Sequence, residues 1–206
     1  MKKAAWGGMT FLSMAVGGYA LAVAANLVPN DFLDKFETYR GWANLHFFGG
    51  AVALLVGPWQ FRRSLRARYI GVHRTLGKLY LLGVVTGGIA SLVLAPRATG
   101  GFPAGAGFGL LGLLWLTTAT AAYRAIRRRE ICEHERWMMR NFALTCAAVT
   151  LRLYLPISQV LGYDFETAYT GIAWLCWVPN LIFVEWVLLP TLAPKRSLER
   201  PIRAVA

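Results

Sequence analysis

Apolar residues dominate six stretches of this chain, and most polar residues lie in the short segments between them. Each stretch has about the 20 mostly apolar residues that a helix needs to cross a bilayer. Lipid offers backbone N–H and C=O groups no partners, so helices are the expected spanning element. The pattern predicts an all-α polytopic membrane protein, a single bundle of six transmembrane helices. The predicted spans cover residues 4–27, 43–61, 76–95, 105–126, 137–161 and 168–192.

The composition agrees with this interpretation. Hydrophobic residues make up 56% of the 206 positions, against about 45–50% in soluble domains. The first stretch is too long for the core of a secretory signal peptide and lacks a small-residue cleavage site, so we expect it to be retained as a span.

The basic residues predict which side of the membrane each loop faces. A formal net charge of +12 would suggest a nucleic-acid partner in a soluble protein. Here, however, 18 of the 22 Lys and Arg residues fall on one side of six spans, around residues 2–3, 62–78, 124–140 and 195–203. Cytoplasmic loops carry such an excess of positive charge. We therefore predict a bacterial inner-membrane protein that contacts the lipid bilayer, has both termini in the cytoplasm and binds no nucleic acid.

Several polar residues lie inside the predicted spans, and the rise of about 1.5 Å per helical residue gives their depth. In span five, which begins at the cytoplasm, Arg140 is about 5 Å deep and Arg152 roughly 22 Å deep. In span six, which begins at the periplasm, Asn180 is near the midplane and Glu185 is roughly 25 Å down. Two polar clusters are therefore predicted. The inner one contains Gln60, His73, Arg74, His134, Arg140 and Glu185, and the outer one contains His46 and Arg152.

The two intramembrane arginines need partners, because an ionised side chain within a span costs a few kcal/mol. For Arg140 the carboxylate of Glu185 is at a matching depth. We favour an ion pair of Glu185 with Arg140 or Arg74 over a proton-carrying role for Glu185. No span offers Arg152 an acidic partner at its depth. Its candidate partners are Asp164 in the periplasmic loop, carbonyl groups freed by Pro156, or an anionic ligand.

The inner histidines suggest a cofactor. His73 and His134 open neighbouring spans on the same predicted side, and two imidazoles facing each other at one depth are the axial ligands of a b-type haem. Arg74, Arg136 or Arg140 could then pair with the haem propionates. His46 stands alone on the other side, so the sequence allows one haem at most. In the alternative interpretation, both inner histidines only cap loop carbonyl groups.

Two further interpretations concern the same region. His73 and His134 could hold zinc or iron together with Glu130, Cys132 or Glu133. Three tryptophans lie deeper than the interfacial ones and either line a cofactor or quinone pocket or pack in the core: Trp115, Trp174 and Trp177. Four small residues are expected to let helices approach closely: Gly49, Gly50, Gly87 and Gly88.

Four motifs carry a family resemblance: GPWQF (57–61) at the end of the span that His46 opens, HRTLGKLY (73–80), HERWMMRNFALTCAAVTLRLYLP (134–156) and WLCWVPNLIFVEW (174–186). They resemble the uncharacterised bacterial membrane-protein family catalogued as Domain of Unknown Function 2306. Family members usually have Ser-Tyr where this chain has Asn141-Phe142, which we interpret as a mild departure that affects no proposed role. The resemblance implies a polytopic inner-membrane protein and brings no established activity.

Three functions remain open, and whether the protein is an enzyme is open with them. The first is a redox protein that holds one b-type haem and exchanges electrons with quinone or a membrane complex. The second is a structural or accessory subunit of a larger membrane complex. The third is a proton-coupled transporter that uses Glu185, against which no inverted repeat is visible.

The haem hypothesis predicts an absorption spectrum. Protein purified in detergent after expression with ample haem should show a Soret band and, after dithionite reduction, sharp α and β bands. Both features should disappear in His73→Ala and in His134→Ala, because each variant removes one axial ligand. A featureless wild-type spectrum would leave the two histidines as caps.

Overall fold

The computed structural model describes residues 3–28 and 36–192, and within them every regular element is helical. Lys2, Asp31, Asp34 and the basic residues predicted to follow span six lie outside the described residues. The helices are α1 (Lys3–Ala24), α2 (Arg40–Gln60), α3 (Arg63–Arg68), α4 (Ile70–Leu94), α5 (Gly101–Arg127), α6 (Ile131–Thr145), α7 (Ala147–Val160), α8 (Phe165–Leu175) and α9 (Val178–Phe183). A π-helical turn (Val184–Leu188) and 3-10 turns (Glu37–Tyr39, Ala95–Arg97 and Leu189–Leu192) complete the described elements.

The helices support most of the predicted spans. Within the described residues, five segments are long and apolar enough to cross a membrane: Ala4–Ala24, Ile70–Arg97, Gly101–Arg127, Ile131–Val160 and Phe165–Thr191. The second predicted span forms α2, which has 21 residues but is not among these five. It carries Asn44, His46 and Gln60, which lower its apolar character. The all-helical membrane fold is thus confirmed, and the sixth span stays a prediction.

Successive long helices run in opposite directions and give the bundle two ends. The end formed by residues 60–70 and 127–131 is called the basic end, because most of the arginines lie there. The end formed by residues 95–101 and 160–165 is called the distal end. The main core lies between them and includes Tyr80, Trp115 and Phe142, all at most 6% exposed.

Glycine brings α2 and α4 into close contact. A Cβ at Gly49 would lie 2.5 Å from the carbonyl oxygen of Gly83 and 2.6 Å from the backbone nitrogen of Gly87. Gly88 leaves room in the same way for the side chain of Leu116 on α5. The predicted role in helix packing is confirmed for Gly49, Gly87 and Gly88. Gly50 differs, because a Cβ there would meet nothing within 4 Å.

The fifth and sixth spans are each interrupted near the middle. Span five breaks at Cys146, between α6 and α7. The hydroxyl groups of Thr145 and Thr150 bond the carbonyls of Asn141 and Cys146 one turn earlier, an arrangement that often bends helices. Span six breaks at Cys176 and Trp177, just before a proline in the first turn of α9, Pro179. Proline cannot donate a helical hydrogen bond, which accounts for this second break.

Two polar side chains connect the interruptions. The Asn180 amide donates to the carbonyls of Cys176 (3.0 Å) and Ala143 (3.2 Å), and it also lies 3.3 Å from the Thr150 hydroxyl. The Thr150 hydroxyl itself donates to the carbonyl of Cys176. Irregular backbone at membrane depth is tolerated where protein buries it or a cavity adjoins it. Asn180 and Thr150 therefore fix the two breaks against each other.

The close contact of α2 with α4 predicts a difference between adjacent glycines. Gly49→Ala should lower the free energy of unfolding by about 1–3 kcal/mol, because its methyl group would overlap the backbone of α4. Gly50→Ala is the matched control and should be neutral or slightly stabilising, because its methyl group enters open space. Thermal unfolding in detergent, followed by size-exclusion chromatography, measures both. Equal loss of stability in the two variants would contradict the packing assigned to Gly49.

Candidate functional site

A cavity of about 660 Å³ lies in the half of the bundle nearer the distal end. Its polar lining includes His46, Arg152 and Thr145, and Trp115 and Cys176 also face it. Aliphatic and aromatic side chains from α2, α4, α5, α7 and α8 form most of the remaining wall. This space, called the distal cavity, falls within the range of about 300–1,000 Å³ typical of small-molecule sites. The two residues of the predicted outer cluster therefore meet at one cavity.

The orientation of His46 depends on the glycine contact between α2 and α4. Its Nδ1 lies 2.9 Å from the carbonyl oxygen of Gly87. A carbonyl only accepts hydrogen bonds, so Nδ1 carries the proton and, in the neutral ring, Nε2 is an acceptor. A side chain at Gly49 would push α4 away and break this arrangement. His46 thus brings a hydrogen-bond acceptor, or a metal-ligating nitrogen, to the cavity.

Arg152 brings a positive charge to the same cavity. Its Nη1 donates to the carbonyl of Ala148 at 3.0 Å, and its guanidinium lies 5.6 Å from the centre of the Tyr19 ring. That carbonyl belongs to the turn before Arg152 and is not one freed by Pro156. Among the described residues, no carboxylate lies within 4.0 Å of the guanidinium. Two of the three predicted types of partner are therefore wrong for the described chain, and an anionic ligand remains.

Asp164, one of those predicted partners, has a different role. It precedes α8 and accepts hydrogen bonds from the backbone N–H groups of Glu166 (3.0 Å) and Thr167 (3.1 Å). Hydrogen bonds from Thr167, through its side chain and then its backbone, hold the pKa of the Asp164 carboxyl below its ordinary value. The residue is an N-cap.

A buried polar network forms the floor of the cavity. The Tyr80 hydroxyl donates to Oδ1 of Asn141 at 2.7 Å and lies 2.8 Å from the Thr145 hydroxyl. Nε1 of Trp115 also donates to Thr145, at 2.8 Å. The Asn141 amide donates to the Trp115 carbonyl (2.7 Å) and the Thr118 hydroxyl (2.8 Å). Side chains from α4, α5 and α6 are thereby tied together at the point where Trp115 and Thr145 reach the cavity.

Asn141 is the residue that sequence reasoning missed. We interpreted Asn141-Phe142 only as a mild departure from the family pattern that affects no proposed role, and we assigned Asn141 no role of its own. Asn141 is completely buried and connects three helices, while Phe142 packs against Phe61 and leaves room only for a glycine at position 57. The available signal was the pair of polar residues Asn141 and Thr145, which are spaced one turn apart within a predicted span.

At the basic end, Arg140 and Glu185 form the predicted ion pair. Nε and Nη2 of Arg140 lie 2.5 and 3.0 Å from the two carboxylate oxygens of Glu185. The guanidinium also lies 4.6 Å from the centre of the Trp137 ring. Both oxygens of Glu185 are therefore occupied, as the favoured interpretation of this pair requires. Arg74 is exposed on the same end.

The predicted haem ligands also lie toward the basic end. Nδ1 of His134 donates to the carbonyl of Ala122 at 2.9 Å, which leaves Nε2 available. Nδ1 of His73 and Nε2 of Gln60 are buried and have no hydrogen-bond partner among the described residues. The two imidazoles lie close enough to influence each other electrostatically. Neither histidine lines the distal cavity, however, so the histidine pair and the cavity are separate features.

The multi-ligand metal site predicted beside these histidines does not form in the described residues. No group of three or more His, Cys, Asp or Glu side chains there is suited to hold a metal ion. Glu133 instead pairs with Arg136 at 3.2 Å, and Cys132 is exposed. Of the three deep tryptophans, only Trp115 lines the distal cavity; the Trp174 indole donates to the carbonyl of Pro103.

Comparison with known proteins identifies the family. Residues 43–188 match the model of a family described as Predicted membrane protein (DUF2306). The match covers well over half of the chain, so the chain belongs to this family. No curated protein and no solved structure matches it.

The buried network predicts a specific loss of stability. Tyr80→Phe should lower the free energy of unfolding by about 1–3 kcal/mol, because Oδ1 of Asn141 then loses its partner inside the bundle. Tyr123→Phe is the control, since that hydroxyl is at the surface beside Arg127, and its effect should stay within about 0.5 kcal/mol. Thermal unfolding in detergent compares the two. A neutral Tyr80→Phe variant would contradict the assigned role of the network.

Proposed function

We propose that this family member is a six-span protein of the bacterial inner membrane that binds a lipophilic small molecule in the distal cavity. Both termini would face the cytoplasm, on the same side as the basic end. The observation that supports the proposal is the meeting of Arg152, His46 and two interrupted spans at one largely apolar cavity. Interrupted spans and intramembrane charges together are typical of membrane binding sites.

The walls and the floor suit a ligand with an apolar body and a polar head. The wall offers mostly carbon atoms, and the head group would lie where Arg152 and His46 provide one donor group and one acceptor group. Few polar groups in a mostly apolar pocket are the usual composition of a small-molecule site. An isoprenoid quinone is one candidate, because its carbonyl oxygens can accept hydrogen bonds from a guanidinium.

Redox activity through haem is the second candidate function. His134 holds its Nδ1 on a backbone carbonyl, which is the usual support for a histidine that ligates through Nε2. His73 is near enough to interact with it. One haem between the two would add electron transfer to ligand binding. The absorption spectra of the wild type and of the histidine variants test this second function. Loss of the Soret band only in His46→Ala would assign the haem to the distal cavity instead.

The ion pair of Glu185 weighs against the transporter hypothesis. Both carboxylate oxygens of Glu185 bond Arg140, on the opposite side of the buried network from the cavity. Proton uptake by Glu185 would require this pair to break, which is costly within a membrane. Glu185 is better explained as a structural partner of Arg140.

The ligand-binding proposal predicts that filling the cavity removes the ligand. Gly50 lines the cavity, and a Cβ there meets nothing within 4 Å, so Gly50→Leu should fold and occupy ligand space. Native mass spectrometry of protein purified in mild detergent should show a bound lipophilic molecule in the wild type and at least about tenfold less in Gly50→Leu.

Gly18→Leu is the matched control, because Gly18 is exposed and also has open space around its Cβ. It should retain the ligand. Equal occupancy in Gly50→Leu and the wild type would rule out the cavity as the binding site. The accessory-subunit hypothesis concerns a different observable. It predicts that Gly50→Leu, which fills the cavity, leaves assembly with a partner complex unchanged.

A further inference from the structure

We propose that the ligand of the distal cavity carries a carboxylate head group that binds Arg152, so that the ligand is a fatty-acid-type amphiphile with a single acyl chain. This inference rests on the proposed function and specifies the chemical class of the molecule bound there. It depends on the charge of Arg152, the acceptor nitrogen of His46 and the shape of the surrounding wall.

The charge of Arg152 favours an anion over a neutral head group. A guanidinium has five N–H donors, and within the described chain one hydrogen bond occupies it, to the carbonyl of Ala148. The Tyr19 ring adds a cation–π contact at 5.6 Å, yet none of the described carboxylates neutralises the charge. An ionised side chain within a membrane span needs a partner even when it is only half-buried, as Arg152 is. A carboxylate can take two parallel hydrogen bonds from Arg.

The tautomer of His46 further limits which head groups can bind in the cavity. Because Nδ1 donates to Gly87, neutral His46 accepts rather than donates at Nε2. A fatty acid satisfies both residues: its proton passes to Nε2 of His46, and the resulting carboxylate accepts hydrogen bonds from Arg152 and from the imidazolium. A quinone carbonyl has no proton to share and leaves Nε2 without a partner. His46 and Arg152 both line the distal cavity, so one head group bound there can serve both.

The wall beyond the head group suits a hydrocarbon chain. Phe47, Leu111, Leu151 and Leu155 line it. Tyr19 lines the cavity too, and 42% of its surface is exposed. A volume of about 660 Å³ accommodates one acyl chain more readily than the two chains of a phospholipid.

Arg97 provides an internal control for Arg152. It too donates to the carbonyl four residues earlier, that of Val93 at 2.7 Å, and its guanidinium lies 3.8 Å from the centre of the Tyr39 ring. It also donates to the Tyr39 hydroxyl at 2.6 Å. It lies at the same end of the bundle but does not line the cavity. Substitution of either arginine removes a cation with similar local contacts, and only Arg152 would contact the ligand.

The test is photolabelling of the full chain in nanodiscs of zwitterionic lipid with a diazirine-bearing palmitic acid. Mass spectrometry should find the label on peptides that contain cavity residues such as Leu151 and Leu155. Palmitate should compete, whereas hexadecanol and decylubiquinone should need at least about tenfold higher concentrations, since they lack the charge-assisted hydrogen bonds. Arg152→Gln should reduce labelling at least tenfold by the same reasoning, and Arg97→Gln should leave it unchanged.

A second variant tests the same binding site in case Arg152→Gln does not fold. Gly50→Leu keeps Arg152 but fills the cavity, and it should also abolish labelling of the cavity peptides.

Asp31 and Asp34 lie outside the described residues, so the double variant Asp31→Asn/Asp34→Asn is included and should label like the wild type. Stronger labelling in that double variant would identify a counter-ion within the protein and overturn the inference.

The remaining outcomes separate the inference from the proposed function. Competition by hexadecanol or decylubiquinone as effective as that by palmitate would overturn the carboxylate inference and leave the ligand-binding function standing. More effective competition by hexadecyl phosphate would assign the head group to phosphate and likewise overturn it. No labelling of cavity peptides by the probe, together with no co-purified molecule in the wild type, would reject both proposals.

Discussion

The structure depends on one constraint: hydrocarbon offers no hydrogen-bond partners, so a buried polar group that finds none within the protein or on a ligand costs free energy. The network around Asn141 meets this constraint fully. Its amide and carbonyl oxygen bond groups on α4 and α5 while its own backbone belongs to α6. Such a network specifies one helix arrangement, because any shift leaves several groups unpaired at once.

The same network adjoins the cavity. Trp115 and Thr145 are hydrogen-bonded to each other, and both side chains line the floor of the cavity. Beside them, span five is interrupted at Cys146 and span six at Cys176 and Trp177, and Asn180 joins the two interruptions. Asn180 and Thr150 also satisfy carbonyls at these interruptions.

The two intramembrane arginines, both half-buried, differ in their counter-ions. Arg140 meets a carboxylate from a neighbouring span, with both oxygens engaged. Arg152 has a carbonyl and an aromatic ring, and no described carboxylate neutralises its charge. An intramembrane charge without a counter-ion is typical of a functional site. The contrast between two arginines in the same span is why binding at the distal cavity is the function that the geometry favours.

Much of the architecture followed from the sequence alone. Long apolar stretches predicted helices because hydrocarbon excludes other spanning elements, and a depth argument paired Arg140 with Glu185 and placed Arg152 beside His46. These results depend on position along a helix, which sequence determines directly. The structure alone decided which residues face one another across helices. It showed that Asn141 is central, that both late spans are interrupted, and that the cavity adjoins His46 rather than His73 and His134. Rotation about a helix axis and contact between helices are set by packing of many side chains at once, and a single sequence carries no direct record of them.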